Sequence, residues 1–286
     1  MKLDDYDKQE RFEAKVLSNE RITPDNADAE VREIVLEVNR PDFDYQPGQS
    51  IGILTPGPHE LGHDEHFRLY SVADTPADTE GGNPRITIAV RRVSYIDDYS
   101  GERFAGISSN YLCDLKGGDS ISITGPYGYA FEVPEDKEAN LILIGSGTGI
   151  APFRAFIKHL YRDIGNWRGK VRLFYGAHSG LEHFYMNEQR DDFALYYDED
   201  TFEAFKALSP RPNWADPIAW DYCLEERSAE IIEMLEDPKT YVYLAGLEDI
   251  RDELDRVFAQ MIGSEERWAR RRAELVAGGR WTELLY

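Results

Sequence analysis

The chain has 286 residues, 42% of them hydrophobic, which is enough apolar material for two cores of ordinary size and makes two domains the expected organisation. Asp and Glu number 54 against 32 Lys and Arg, and the formal charge of -22 repels nucleic-acid phosphates and anionic membrane surfaces, excluding both as partners. The two cysteines, Cys113 and Cys223, cannot build a disulfide framework, a four-thiolate zinc site or an iron-sulfur cluster, so any iron-sulfur centre must come from another chain. No apolar run reaches the roughly 20 residues of a membrane span, and the polar, acidic first residues carry no signal or transit pattern, so a soluble cytoplasmic protein is expected.

In chain order, residues 11–135 alternate short apolar runs with turn chemistry: residues 31–38, Pro47-Gly48, residues 86–90 and residues 121–124. This pattern predicts an antiparallel β-barrel. A loop within it carries His59, His63 and His66 near Asp64 and Glu65, but the spacing matches no common zinc pattern, and no metal site is expected. A short charged segment, residues 135–139, follows Val133-Pro134 and marks the expected boundary between domains at 10–136 and 137–286. Beyond it the texture changes to continuous apolar strands, residues 141–144, 171–175 and 241–245, with helical stretches at 151–163 and 248–262. Buried parallel strands with helical crossovers read this way, so the second domain is expected to be Rossmann-like.

The strongest local motif runs from Leu141 through Gly145, Gly147 and Gly149 to Arg154, a buried strand turning through glycines into a helix. Such glycines let backbone amides approach a diphosphate, and the new helix points its positive end at the same anion. A glycine turn taken singly also serves purely steric ends. Five further segments accompany it: residues 68–71 (Arg-Leu-Tyr-Ser), residues 90–98, residues 106–112, residues 125–128, and the closing stretch 278–286 that ends in Tyr286. In this order, with the first strand at residues 14–23 and the run 45–53, they resemble the plant-type ferredoxin-NADP(+) reductase family over residues 10–286.

The resemblance implies a Greek-key strand order for the barrel, an FAD held noncovalently by that barrel and NADP(H) held by the second domain, with electron exchange at the cleft between them. For FAD it implies Arg68, Leu69, Tyr70, Ser71, Arg91, Tyr95, Gly106, Ile107, Ser108, Ser109 and Tyr286. Tyr70 would stack on the isoalloxazine and Tyr286 would cover its other face; Ser71 would hydrogen-bond near the hydride-accepting nitrogen, which makes Ser71 and Tyr286 the catalytic candidates. Arg68 would neutralise the diphosphate, residues 106–112 would cap a helix over it, Tyr95 would stack on adenine, and Arg91 would lie near that end. For NADP(H) it implies Gly147, Thr148 and Gly149 around the diphosphate and Gly246 also at the cofactor, with Ser209 and Arg211 gripping the extra phosphate and Tyr222 stacking on its adenine. Ser209-Pro-Arg211 is equally readable as a plain turn.

Two departures fall on the hydride-transfer face. The family's cysteine before glycine is Ala245 here, and its glutamate two residues before the final tyrosine is Leu284, with Glu283 displaced by one step to the opposite side of an extended segment. Slower hydride transfer is expected. The basic run Arg267, Arg270, Arg271, Arg272 stands out in an acidic chain as a docking surface for an acidic ferredoxin or flavodoxin, or as a solvated helix face. Two other readings stay open: the reductase component of a multicomponent oxygenase, and an FAD- and nucleotide-binding redox subunit without turnover.

Overall fold

In a computed structural model, which describes residues 3–57, 64–128, 131–211 and 216–286, the period-two alternation of the first half forms strands whose inward side chains meet in one core. The elements run β1 (Phe12–Arg21), β2 (Val31–Val38), β3 (Ser50–Pro56), β4 (Glu65–Ser71), β5 (Ala77–Asp78), β6 (Pro84–Arg91), a separate ribbon of β7 (Ser94–Ile96) and β8 (Arg103–Ala105), helix α1 (Ile107–Asp114) and β9 (Ser120–Tyr127). Apart from the ribbon, the strands form one sheet ordered β4-β3-β9-β1-β2-β6-β5, and every pairing in it is antiparallel. An antiparallel bridge between Val72 and Ile88 joins the end of β4 to β6, so the sheet closes on itself. Because β9 returns to lie between β3 and β1, the connection is of Greek-key type, as the family resemblance implies. Ile34, Leu36, Ile51, Ile53, Ile86, Ile88, Ile123 and Leu112 of α1 fill the interior.

From Asn140 the three central strands are buried on both faces, which is why their sequence reads as apolar runs rather than alternation. β10 (Asn140–Ser146), β11 (Val171–Ala177), β12 (Phe202–Leu208), β13 (Thr240–Gly246) and β14 (Trp281–Leu285) form a sheet ordered β12-β11-β10-β13-β14, parallel throughout. The crossovers carry α2 (Ile150–Lys158), which continues as a π-helical turn over His159–Ile164, then α3 (Trp220–Glu225), α4 (Ser228–Glu236), α5 (Asp249–Ile262) and α6 (Glu265–Ala277). α5 stops at Gly263, whose φ of 75° is the left-handed conformation that closes a helix at little cost only for glycine. The Ser264 hydroxyl then accepts from the Arg267 amide at 3.2 Å and starts α6. Ile142, Ile144, Leu244, Leu254, Phe258, Trp268 and Trp281 pack between sheet and helices.

Two compact units result, one comprising residues 1–130 with 154–156 and the other residues 131–153 with 157–286. Strand β12 has no counterpart in the sequence expectation, and β14 has one only as the extended segment around Glu283 and Leu284. Both are edge strands of the sheet, and the charged residues Glu203, Lys206 and Glu283 interrupt their apolar pattern, Lys206 being exposed.

After β11 the chain folds into an aromatic knot that encloses His183 completely. The His183 Nε2 donates to the Tyr175 carbonyl at 3.0 Å, and the two rings meet edge-on. Burial outweighs the pull of that carbonyl and lowers the imidazole pKa to about 4. The folded pKa lies below the unfolded one, so the unfolded chain takes up this proton first as pH falls. The resulting loss of stability begins near pH 6.5 and levels off below about 4, up to about 3 kcal/mol in all. Urea unfolding of wild type and His183→Gln across that window should give a steeper pH dependence for wild type; equal slopes would contradict the assignment.

Candidate functional site

β3 and β4 pair along their whole length, with Ile53 opposite Arg68, Ile51 opposite Tyr70 and Ser50 opposite Ser71. Arg68 is exposed, and its guanidinium donates to the Phe67 carbonyl at 2.9 Å. Tyr70 is half-buried against the barrel core, and burial holds its phenol well above the ordinary value, so the ring stays neutral. Ser71 Oγ lies 3.4 Å from Ser50 Oγ. Helix α1 packs on both strands and begins at Gly106 without a capping side chain, which leaves its first amides available to an anion. A Cβ on Gly106 would come within 3.0 Å of Ser109 Oγ and the Val93 carbonyl.

Ser108 and Ser109 have internal work. The Ser108 hydroxyl is buried and accepts from Thr55 Oγ1 at 2.9 Å, so only its backbone amide can meet a ligand. The Ser109 hydroxyl accepts from the Val93 amide at 3.2 Å and donates to the Gly106 carbonyl, tying α1 to the segment before β7. Tyr95 stacks on Phe104 across the ribbon with ring centroids 5.7 Å apart and keeps a free outer face. Arg91 is exposed, whereas its neighbour Arg92 is held by Glu30 and Asp114 at 2.8 Å each and by Asn110 at 3.0 Å, clamping the end of β6 to α1. Of the three loop histidines, His59 and His63 lie outside the described residues and His66 is on β4; among the described residues no His, Cys, Asp or Glu cluster could hold a metal ion.

In the second unit the predicted glycine turn stands at the carboxyl end of β10, where open parallel sheets bind their ligands. A Cβ on Gly149 would lie 2.2 Å from the Ala245 carbonyl oxygen and 2.7 Å from the Gly246 amide. One on Gly246, whose φ is 144°, would lie 2.3 Å from Ser146 Oγ. These two glycines therefore let the turn before α2 and the end of β13 touch backbone to backbone. The Thr148 and Tyr286 hydroxyls share a hydrogen bond, and the Tyr286 amide donates to the Gly246 carbonyl at 3.0 Å, so the last residue of the sequence is tied to both glycine segments.

Ser209 and Arg211 are both held by Asp216, a residue that the sequence reading did not single out. The buried Ser209 hydroxyl donates to the Asp216 carbonyl at 2.8 Å, and Arg211 donates to the Asp216 carboxylate at 2.7 and 3.3 Å. Tyr222, on α3, is 71% exposed with its ring open to solvent.

Strand alternation separates Glu283 from Leu284. Glu283 points to the helix side, where Arg251 donates at 2.9 and 2.5 Å, Trp281 Nε1 at 2.6 Å and Arg272 at 3.1 Å. Burial opposes its charge, but these donors win and lower its pKa. Leu284 pairs in register with Ala245, so both family departures lie side by side as apolar groups. The basic run divides likewise. Arg272 bonds Asp255 and Glu283, and Arg271 bonds the Leu235 and Asp237 carbonyls and Glu274; of the four only Arg267 and Arg270 are exposed, the latter 3.6 Å from Glu266. Two members of the run, Arg271 and Arg272, are partly buried structural ties, which a run of like charge in the sequence cannot reveal.

A closed Greek-key barrel followed by a parallel sheet with a glycine turn defines a two-domain dinucleotide-binding oxidoreductase architecture. A family model described as an oxidoreductase NAD-binding domain matches residues 143–254. The chain is 32% identical over 286 residues to the ferredoxin-NADP reductase of Picosynechococcus sp., covering 96% of this chain and 70% of that one. It is 31% identical over 287 residues to the chloroplastic leaf isozyme 1 of Oryza sativa subsp. indica, covering 98% and 78%. In fold it is similar to the ferredoxin-NADP+ reductase of Plasmodium falciparum with 2'P-AMP, with a TM-score of 0.72, 22% identity and 98% of each chain covered. The chain belongs to the ferredoxin-NADP reductase family.

All five tryptophans fall in the second unit, so their fluorescence reports its unfolding. By that readout Gly149→Ala should lose about 1–3 kcal/mol through overpacking against β13; an unchanged urea midpoint would contradict the close approach. Glu283→Gln should cost about 1–3 kcal/mol at pH 7 by weakening charge-assisted bonds. Because the folded pKa of Glu283 is lowered, that difference should fade as pH drops through it. A deficit independent of pH would contradict the ion-pair account.

Proposed function

We propose that the chain is an FAD-dependent oxidoreductase exchanging electrons between NADP(H) and a one-electron carrier, a ferredoxin or flavodoxin. The observation that carries this reading is the similarity to ferredoxin-NADP reductases over nearly the whole chain, barrel and parallel sheet together. Residues 10–136 are assigned to FAD and residues 137–286 to NADP(H). When bound, FAD takes up a hydride as two electrons and passes electrons on singly.

The chain's own residues bind and orient. On the barrel, the neutral Tyr70 ring offers a flat apolar face, and Ser71, steadied by Ser50, offers a hydroxyl at the reacting edge. Arg68 exchanges the Phe67 carbonyl for the FAD diphosphate, which the amides of residues 107–109 meet at the start of α1. Tyr95, already braced by Phe104, offers its outer face to adenine, with Leu69 and Arg91 flanking. In the second domain the amides of Gly147, Thr148 and Gly149 receive the NADP(H) diphosphate, and Gly246 keeps the approach open. Ser209 and Arg211 receive the extra phosphate and Tyr222 the adenine. The apolar pair Ala245 and Leu284 supplies neither thiol nor carboxylate to the nicotinamide, so hydride transfer is slow for the family but retained. That same pair favours a second reading, a redox subunit that binds both nucleotides without turnover. Arg267 and Arg270 are the members of the basic run available to steer an acidic carrier.

Anaerobic stopped-flow mixing with NADPH should bleach the flavin, faster than with NADH. Bleaching by neither would support the non-turnover reading, and equal rates would remove the Ser209 and Arg211 assignment. The hydrogen bond between Thr148 and Tyr286 must open before a diphosphate engages Thr148, so Tyr286→Ser should bind NADPH at least about threefold more tightly, the worth of one exposed hydrogen bond. Unchanged NADPH affinity by equilibrium titration would contradict the gate.

A further inference from the structure

Asp216 already engages both residues assigned to the extra phosphate of NADP(H). Its carboxylate accepts from Arg211 Nε at 2.7 Å and from a terminal guanidinium nitrogen at 3.3 Å, and its backbone carbonyl accepts from Ser209 Oγ at 2.8 Å. Its side chain is mostly covered, at 22% exposure, whereas that of Arg211 is 66% exposed. The pairing raises the guanidinium pKa through the Asp216 hydrogen bonds and charge. A guanidinium is a planar fork that matches two oxygens of a carboxylate or of a phosphate, so the two anions compete for the same donors in the same geometry.

We propose that Asp216 is an internal competitor for the 2'-phosphate of NADP(H), holding Arg211 in the nucleotide-free protein and so setting how far NADPH is preferred to NADH. This rests on the assignment of Ser209 and Arg211 to that phosphate. The phosphate monoester carries nearly two negative charges at neutral pH against one on the carboxylate, so it can take Arg211 over. The displaced carboxylate stays beside Ser209, because the Ser209 bond is to the Asp216 backbone, and it repels the incoming anion. The net charge of -22 gives no compensating background. Asp216 thus tunes specificity downward without touching the adenine or diphosphate subsites.

Asp216→Asn preserves shape and the backbone bond to Ser209 while removing the competing charge. Calorimetry on the FAD-loaded protein would compare two probes, adenosine 2',5'-bisphosphate and adenosine 5'-monophosphate. Release of one partly exposed ion pair is expected to tighten the bisphosphate by about threefold or more and leave the monophosphate within about twofold. The NADPH/NADH ratio of kcat/KM should move in the same direction. Asp216→Ser serves as a second variant should the asparagine perturb the turn. Bisphosphate affinity unchanged or weakened in both variants would overturn the proposal. Arg211→Gln separates this from its premise. If it leaves bisphosphate binding intact, the phosphate assignment itself fails; if it weakens binding while the Asp216 variants show no gain, only the competitor role falls.

Discussion

The second domain depends on one steric constraint, the backbone contact between Gly149 and the end of β13. With a Cβ 2.2 Å from the Ala245 carbonyl oxygen, no side chain can stand at position 149 without pushing α2 away from the sheet. The contact fixes where α2 begins, and with it the direction in which the turn amides point. Gly246 completes the constraint from the β13 side. Its carbonyl, accepting from the Tyr286 amide, carries it on to the closing strand β14. Geometry of this kind is what lets a main chain approach a diphosphate, so the same requirement that packs the sheet also shapes the proposed diphosphate site.

Charge is handled in two different ways in the same domain. On the helix side of β14, Glu283 gathers Arg251, Arg272 and Trp281 into a half-buried network linking β14 to α5 and α6. Such a carboxylate is committed to the fold and cannot also serve as a proton donor on the opposite face. There Ala245 and Leu284 present only hydrocarbon. At Ser209 the Asp216 carboxylate is about as covered as Glu283, but its partner Arg211 is 66% exposed, the side from which the proposed phosphate would compete for it. Interior ion pairs hold structure, while exposed ones are exchangeable because water screens their loss.

Much of this was legible in the sequence because it is local in the chain. Alternation in residues 31–38 and 86–90 gave the barrel, continuous runs at 141–144, 171–175 and 241–245 gave the parallel strands, and the glycine turn lies where a strand-to-helix turn must lie. The opposite facing of Glu283 and Leu284 followed from strand geometry alone. What stayed hidden were choices of partner between distant or solvent-side groups. Nothing in the order of residues says that Arg271 and Arg272 turn inward, that Ser108 is bound to Thr55 or that Asp216 occupies Arg211. These depend on which loop or strand tertiary packing brings within 3 Å, and single-residue chemistry is silent on that.

The most direct test of the central claim is NADPH-driven reduction of cytochrome c by the FAD-loaded protein, measured against increasing plant-type ferredoxin. The account predicts a rate that rises and saturates with ferredoxin and falls steeply when NADH replaces NADPH. A protein that oxidises NADPH but shows no dependence on ferredoxin or flavodoxin would contradict the assignment of a one-electron carrier as its partner.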